Sequence, residues 1–182
     1  MFKLFSKKLN KKGFTLIELL VVIAIIGVLA SIVLASLNNA RKKSRDARRI
    51  TDIKQIQLAL ELYFDGQGNK YPTAGTTCAA SPGVAYGLEV LATDNYIPQV
   101  PRDPLSNASC YWYASYPASS PTMYHLGASL EEATNPALNG DKDCNSAGAT
   151  CPGGAAYTNP FNGADTAGCG TEASRECYDV VP

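Results

Sequence analysis

The hydrophobic and polar positions divide the chain into three stretches of different character. From Phe14 to Leu37 it is almost wholly apolar, with Thr15, Glu18, Ser31 and Ser36 the only polar side chains. At an α-helical rise of about 1.5 Å per residue, this stretch spans the ~30 Å hydrocarbon core of a bilayer. From Asn38 to Phe64 polar residues return, but Ala47, Ile50, Ile53, Ile56, Leu60 and Phe64 recur three or four apart with no proline or glycine between them. The two stretches together predict one continuous helix over 14–64, roughly 75 Å long, stopped by Gly66 and Gly68. Its first half suits lipid, and its second half lays an apolar stripe on a folded head.

The third stretch, 65–182, is rich in Gly, Pro, Ala, Ser, Thr and Tyr and has few long apolar runs. Alternating, aromatic-rich segments predict strands at Cys110–Tyr116 and Thr122–Ser129, with a weaker signal at Arg175–Val181. Gly87 to Leu91 reads as a short helical turn, and Asn135 to Gly170 as loop held by disulfides or an ion. The expected fold class is α+β: a long N-terminal helix packed on a small antiparallel sheet, with a loop-rich, disulfide-bonded C-terminal region. The corresponding division is 1–13 as a basic leader, 14–37 as the membrane half of the helix, 38–64 as its amphipathic continuation and 65–182 as the head.

Charge sharpens that division. The chain has 16 basic and 16 acidic side chains, but five of the basic ones (Lys3, Lys7, Lys8, Lys11 and Lys12) lie in the leader, which has no acid. A basic stub ahead of a net acidic body suits a targeting segment and not a nucleic-acid surface. A secretory signal peptide is the competing reading. Its apolar core is normally shorter, and ASLNNARKK makes a poor cleavage region despite the small residues around Ala30 to Ala35.

The six cysteines, Cys78, Cys110, Cys144, Cys151, Cys169 and Cys177, all follow the apolar stretch and would share one side of a membrane. Their spacing lacks the CxxC pairs of zinc sites. An even number in a small-residue-rich head fits disulfides formed in an oxidising compartment. The connectivity stays open, although Cys144–Cys151 and Cys169–Cys177 are the shortest loops to close.

Glu18 carries the most information. A carboxylate this deep in an apolar helix is costly unless it finds a partner, though a side chain so near the interface can also snorkel toward water. A free amine on Phe14, formed by cutting after Gly13, would neutralise the Glu18 of a neighbouring copy and fix the stagger between copies. KKGFTLIE, with its basic leader, glycine, aromatic residue and glutamate at these spacings, resembles the class III signal of type IV pilins and type II secretion pseudopilins. The resemblance implies that a membrane prepilin peptidase cuts between Gly13 and Phe14 on the cytoplasmic side and methylates the new amine, leaving the helix in the mature protein. It continues through Gly27, Tyr71, Pro72, Gly87, Leu88, Leu91, Pro101, Asp103 and Pro104, and fades after Ser129. Ala35 stands where many members have proline, and the cysteines fall outside the usual pseudopilin pattern.

Weaker signals remain. Arg41, Lys42, Lys43, Arg45, Arg48 and Arg49 form a basic run relieved only by Asp46, either a solvated face or a site for anionic headgroups or neighbouring acids. It opposes the lysines of the leader under the positive-inside rule. Asn139, Asp141, Asp143 and Asn145 offer hard oxygens in a short loop, and pseudopilins often hold calcium in the head, which makes these four the metal candidates. The EF-hand pattern fails, because Ser146 replaces its glycine and Pro152 falls where its glutamate should be; an Asx-rich turn is the plainer reading. His125 reads as a packing residue, the aromatics around Trp112 as core, and Asn107-Ala108-Ser109 as a chance sequon.

The function expected is structural, with no catalytic constellation and no cofactor other than calcium. The balance falls on a subunit of a type IV pilus-like filament serving adhesion, motility or DNA uptake. The alternatives are a type II secretion pseudopilin, toward which the segment after Tyr71 leans, and a minor tip subunit acting as a binding module. The implied partners are other copies of the chain, prepilin peptidase, the filament assembly machinery and the cytoplasmic membrane. Nucleic acid enters only indirectly, through DNA uptake. The head would lie outside a single-pass inner-membrane anchor before joining an extracellular or periplasmic filament.

Overall fold

The computed structural model describes residues 13–78, 86–105, 109–148, 150–154, 157–165, 168–169 and 175–182. The leader's first twelve residues and most of the Asn107 sequon lie outside them. The chain divides into two units, Met1–Ala40 and Arg41–Pro182. One helix, α1, runs over Leu16–Gly66, ending at the glycine where the periodic pattern stops.

In the first unit α1 is apolar and uncovered. Leu16, Ile17, Ile23, Leu29 and Leu34 are all exposed. By length and composition it could cross a membrane.

In the second unit α1 buries a stripe of Ile53, Ile56, Ala59 and Leu60, with Ile50 and Phe64 half-covered. Ala47, expected on this stripe, is exposed. Its place is taken by the charged residues Asp46, Arg49 and Asp52, which are buried. The stripe therefore continues at helical spacing toward residue 46, but as ions.

The head contributes three antiparallel strands in the order β1-β2-β3: β1 at Trp112–Tyr116, β2 at Met123–Leu130 and β3 at Glu176–Val180. Trp112 lies opposite Gly127 across β1 and β2, and Gly127 opposite Asp179 across β2 and β3. A short helix α2, Val90–Thr93, sits beside the expected Gly87–Leu91 turn, and a 3₁₀ helix covers Pro136–Gly140.

Because side chains alternate along a strand, the sheet has two inner faces. Tyr113, Tyr124, Leu126, Ala128, Leu130 and Tyr178 join the α1 stripe, Leu88 and Leu91 in one core. Ala114 and Cys177 on the opposite face pack with Tyr157, Phe161 and Cys169 of the tail in a second core. From Tyr124 to Leu130, β2 is therefore buried on both faces. A Cβ on Gly127 would stand 2.8 Å from the Phe161 ring and 2.9 Å from the Cys169 sulfur, so only glycine lets the tail lie this close.

Three disulfides fix the irregular segments: Cys78–Cys110, Cys144–Cys151 and Cys169–Cys177. The first ties the segment after Tyr71 to the approach to β1. The other two staple the tail over the second face of the sheet.

Candidate functional site

At the start of α1, Gly13 and Phe14 are exposed ahead of the helix, Phe14 at 85%. A Cβ on Gly13 would meet nothing within 4 Å. No described residue crowds the peptide bond between them. One turn further on, Thr15 and Glu18 form a reciprocal cap. The Thr15 amide and hydroxyl donate to Glu18 Oε2 at 2.9 and 2.7 Å, and the Glu18 amide donates to Thr15 Oγ1 at 3.2 Å. A threonine and a glutamate three residues apart at a helix start satisfy each other's backbone donors in this way. Among the described residues only Oε2 of Glu18 is engaged, which leaves Oε1 as a further acceptor. Thr15 escaped the sequence reading, although T-x-x-E before an apolar run is a recognisable capping signal.

Lower on α1, the basic run from Arg41 to Arg49 meets acids brought from elsewhere in the chain. Arg49 is fully buried and hydrogen-bonds Asp46, Asp103 and Glu131. Arg45 forks onto Glu131 at 2.7 and 2.6 Å, and Lys43 reaches Glu132 at 3.3 Å. Asp46 also accepts the backbone amides of Glu131 and Glu132. Burial alone would lower the Arg49 guanidinium, but hydrogen bonds to Asp103, Glu131 and Asp46 outweigh it and hold the charge. Glu131 is pulled down to about 2, chiefly by its hydrogen bond to Arg45. The run is therefore an ion network locking the end of β2 and the Pro101–Pro104 turn onto α1, and not a bare headgroup patch. Arg41 and Lys42 remain exposed.

Residues 8–34 match the prokaryotic N-terminal methylation motif. The type II secretion system core protein G of Klebsiella michiganensis is 31% identical over 121 residues, covering 65% of this chain and 80% of that protein. This chain belongs to the type IV pilin and pseudopilin family. The core protein G of Vibrio cholerae is 33% identical over 141 residues, 69% of this chain and 87% of its own length. That of Aeromonas hydrophila is 34% identical over 104, 56% and 72% respectively. No solved structure matches the chain significantly.

In this pilin-family head, Trp112 and Tyr113 of the aromatic strand pack against other described residues. Trp112 stacks on Tyr86 and tilts against Phe161, and Tyr113 is fully buried with its hydroxyl donating to the Pro72 carbonyl at 2.7 Å. The hollow beside it, lined by Asp103, Tyr111, Trp112, Ser129 and Arg175 among others, holds about 130 Å³, well short of the ~300 Å³ where ligand pockets begin.

The loop named for metal gathers differently from its sequence. Carboxylate oxygens of Asp141, Asp143 and Asp165 lie within 4.8 Å of one another. Asp165 comes from the tail and carries no local sequence signal linking it to the others. Asn145 Oδ1 instead accepts the amides of Ala147 and Gly148, both at 2.8 Å, closing its own turn. Asn139 lies exposed in the 3₁₀ helix. Asp141 Oδ1, Asp165 Oδ1 and, at the start of β3, Glu176 Oε2 are buried acceptors without a donor among the described residues. Burial, and then the charges of Asp165, Asp179 and Asp143, push Asp141 up to about 7. Burial followed by Asp143 and Glu176 raises Asp165. Orphaned hard oxygens at this spacing fit a divalent cation such as calcium.

A second cluster, His125 with Cys144 and Cys151, offers no thiolate, because the two sulfurs are joined. His125 links Ser146 and Asp179 in the order of a hydrolytic triad, with Nδ1 3.0 Å from Ser146 Oγ and Nε2 2.8 Å from Asp179 Oδ2. All three are at most 1% exposed, so no substrate carbonyl reaches the serine, and burial lowers His125 toward the neutral form.

Proposed function

We propose that this chain is a filament subunit of the pseudopilin type, cut after Gly13, methylated on Phe14 and stacked with other copies through its apolar helix. The observation that carries the proposal is Glu18, set in an uncovered apolar helix with one oxygen capped by Thr15 and the other open. The Phe14 amine of a neighbouring subunit is a cation of suitable size and position along the chain to complete it. Likeness to the type II secretion core protein G supports the pseudopilus over the surface pilus on which the balance of the sequence fell. Prepilin peptidase and an assembly machinery are the partners this route needs, with the subunit waiting in the cytoplasmic membrane and its head outside.

The test is assembly of Glu18→Gln and Glu18→Ala variants, scored by sheared filaments and by cross-linking. Glutamine keeps the cap's acceptor but not the charge. Loss of filaments in both variants, with the head still folded, supports the ion-pair role. Normal filaments from the glutamine variant would leave capping as Glu18's only task.

The head is further proposed to bind calcium through Asp141, Asp143 and Asp165, which draws the tail against the loop leading from the 3₁₀ helix. When bound, the ion would neutralise three like charges that otherwise repel. The buried acceptors without donors support this reading.

A further inference from the structure

The lone histidine stands at a fork between the two walls of the acidic cluster. From β2, His125 Nε2 contacts Asp179 of β3, a carboxylate that only accepts, so Nε2 carries the hydrogen. Asp179 in turn collects the backbone of the acidic loop. Its Oδ1 accepts the amides of Lys142 and Asp143 at 3.1 and 2.8 Å, and its Oδ2 accepts that of Cys144 at 3.1 Å. Asp141 and Asp143 are thereby set from one nitrogen of the ring.

The other nitrogen sets the opposite wall. Nδ1 faces Ser146 Oγ at 3.0 Å, and the Ser146 hydroxyl, with a single proton to give, also lies 2.9 Å from the Phe161 carbonyl as its donor. Ser146 Oγ accepts the Phe161 amide at 2.8 Å, and the Ser146 amide donates to the Phe161 carbonyl at 3.1 Å. Asn145 then bridges to Asn162, and the Gly163 amide donates to the Cys144 carbonyl at 2.8 Å. This pairing of 144–146 with 161–163 delivers Asp165 two residues later. The imidazole also stacks on the Phe161 ring at 3.8 Å and 9°. At Gly163 a Cβ would fall 2.3 Å from Asp179 Oδ2 and 2.5 Å from the Cys144 carbonyl, so the walls meet with no room for a side chain.

We infer that His125 is the positioning residue of the cation site: through Asp179 it places Asp141 and Asp143, and through Ser146 it places Asp165, while touching none of the three. The inference rests on the calcium reading above and adds how the site is formed. Hydrogen-bond partners behind a metal's ligands fix the ligands' orientation, and losing one typically weakens metal binding by about 10- to 100-fold. The site is thereby tied to both the sheet and the disulfide-stapled tail, which share no other histidine.

The experiment is calcium titration calorimetry on the full chain in detergent, together with Tm in chelator and in calcium. His125→Phe keeps a stacking ring and removes both arms. Ser146→Ala removes the Nδ1 arm alone and decides the matter if the first variant fails to fold. Ser146→Ala is expected to weaken calcium binding by about ten-fold, with His125→Phe at least as severe. The calcium-dependent rise in Tm should shrink in step. Wild type that binds calcium, with both folded variants unchanged in affinity, overturns this inference and leaves the site standing. So does an equal fall in Tm with and without calcium, the mark of a packing role. Wild type that binds no calcium overturns the cation reading and this inference with it.

Discussion

Arg49 on α1 and Asp103 in the Pro101–Pro104 turn join through two parallel hydrogen bonds, Nε to Oδ2 at 2.7 Å and Nη2 to Oδ1 at 3.1 Å. Planar guanidinium and carboxylate match in this bidentate form. The pair is buried and shares its cation with Asp46 and Glu131. Removing the arginine therefore takes from Asp103 its ion-pair partner among the described residues and leaves Asp46 only backbone amides and Glu131 only Arg45. Arg49→Met should destabilise the head by about 3–5 kcal/mol, read by chemical denaturation. Lys43→Ala, which loses an exposed contact to Glu132, should cost less than about 1 kcal/mol.

Glu131 makes the network sensitive to acid in a defined window. Its folded value, about 2, lies below the ordinary 4.5. A carboxylate lowered on folding contributes stability above its unfolded value and loses it as the pH falls toward the folded one. The gap in Tm between wild type and Glu131→Gln should therefore be full at pH 6–7 and narrow steadily between about pH 4.5 and 2. A gap constant over that window would show that Glu131 acts by shape alone.

Asp141 shifts in the opposite direction. Raised to about 7 from the ordinary 3.8, it keeps its proton in the folded head while the unfolded chain has lost it. Its contribution thus falls as pH rises from about 4 to 7. Calcium would replace that proton. The Tm gained on adding calcium should be small at pH 5.5 and grow through pH 7 to 8.

The Cys144–Cys151 disulfide closes a short loop, with a sequence separation of 7, directly after the acidic residues. Replacing both cysteines by serine should cost about 2–4 kcal/mol and loosen the pairing of 144–146 with 161–163. Hydrogen exchange at the Gly163 amide, bonded to the Cys144 carbonyl, is expected to accelerate, while exchange in β1 stays slow.

What the sequence disclosed follows from how local each signal is. The apolar run and the i, i+3, i+4 stripe located α1, and alternation located all three strands, because both signals are periodic in neighbouring residues. The inward turn of Asp46, Arg49 and Asp52 was written in the same spacing, but charge concealed it. A hydrophobic pattern scores those positions as solvent-facing, and their partners Asp103 and Glu131 lie far along the chain. Ala47 fitted the chemistry of the stripe but not its angle. Asp165 was out of reach for a stronger reason, since its approach to Asp141 and Asp143 depends on a tail folded back over the sheet. His125 looked like a packing residue from its strand neighbours, and only the two contacts of its ring reveal the fork.

The central claim, that the chain is a processed filament subunit, is tested most directly at its N-terminus. The measurement is intact mass with N-terminal peptide sequencing of the protein made alongside a prepilin peptidase. The account predicts a mature chain beginning at Phe14 with a methyl group on its amine. An uncut chain, or one cut near Ala30 to Ala35, would contradict it.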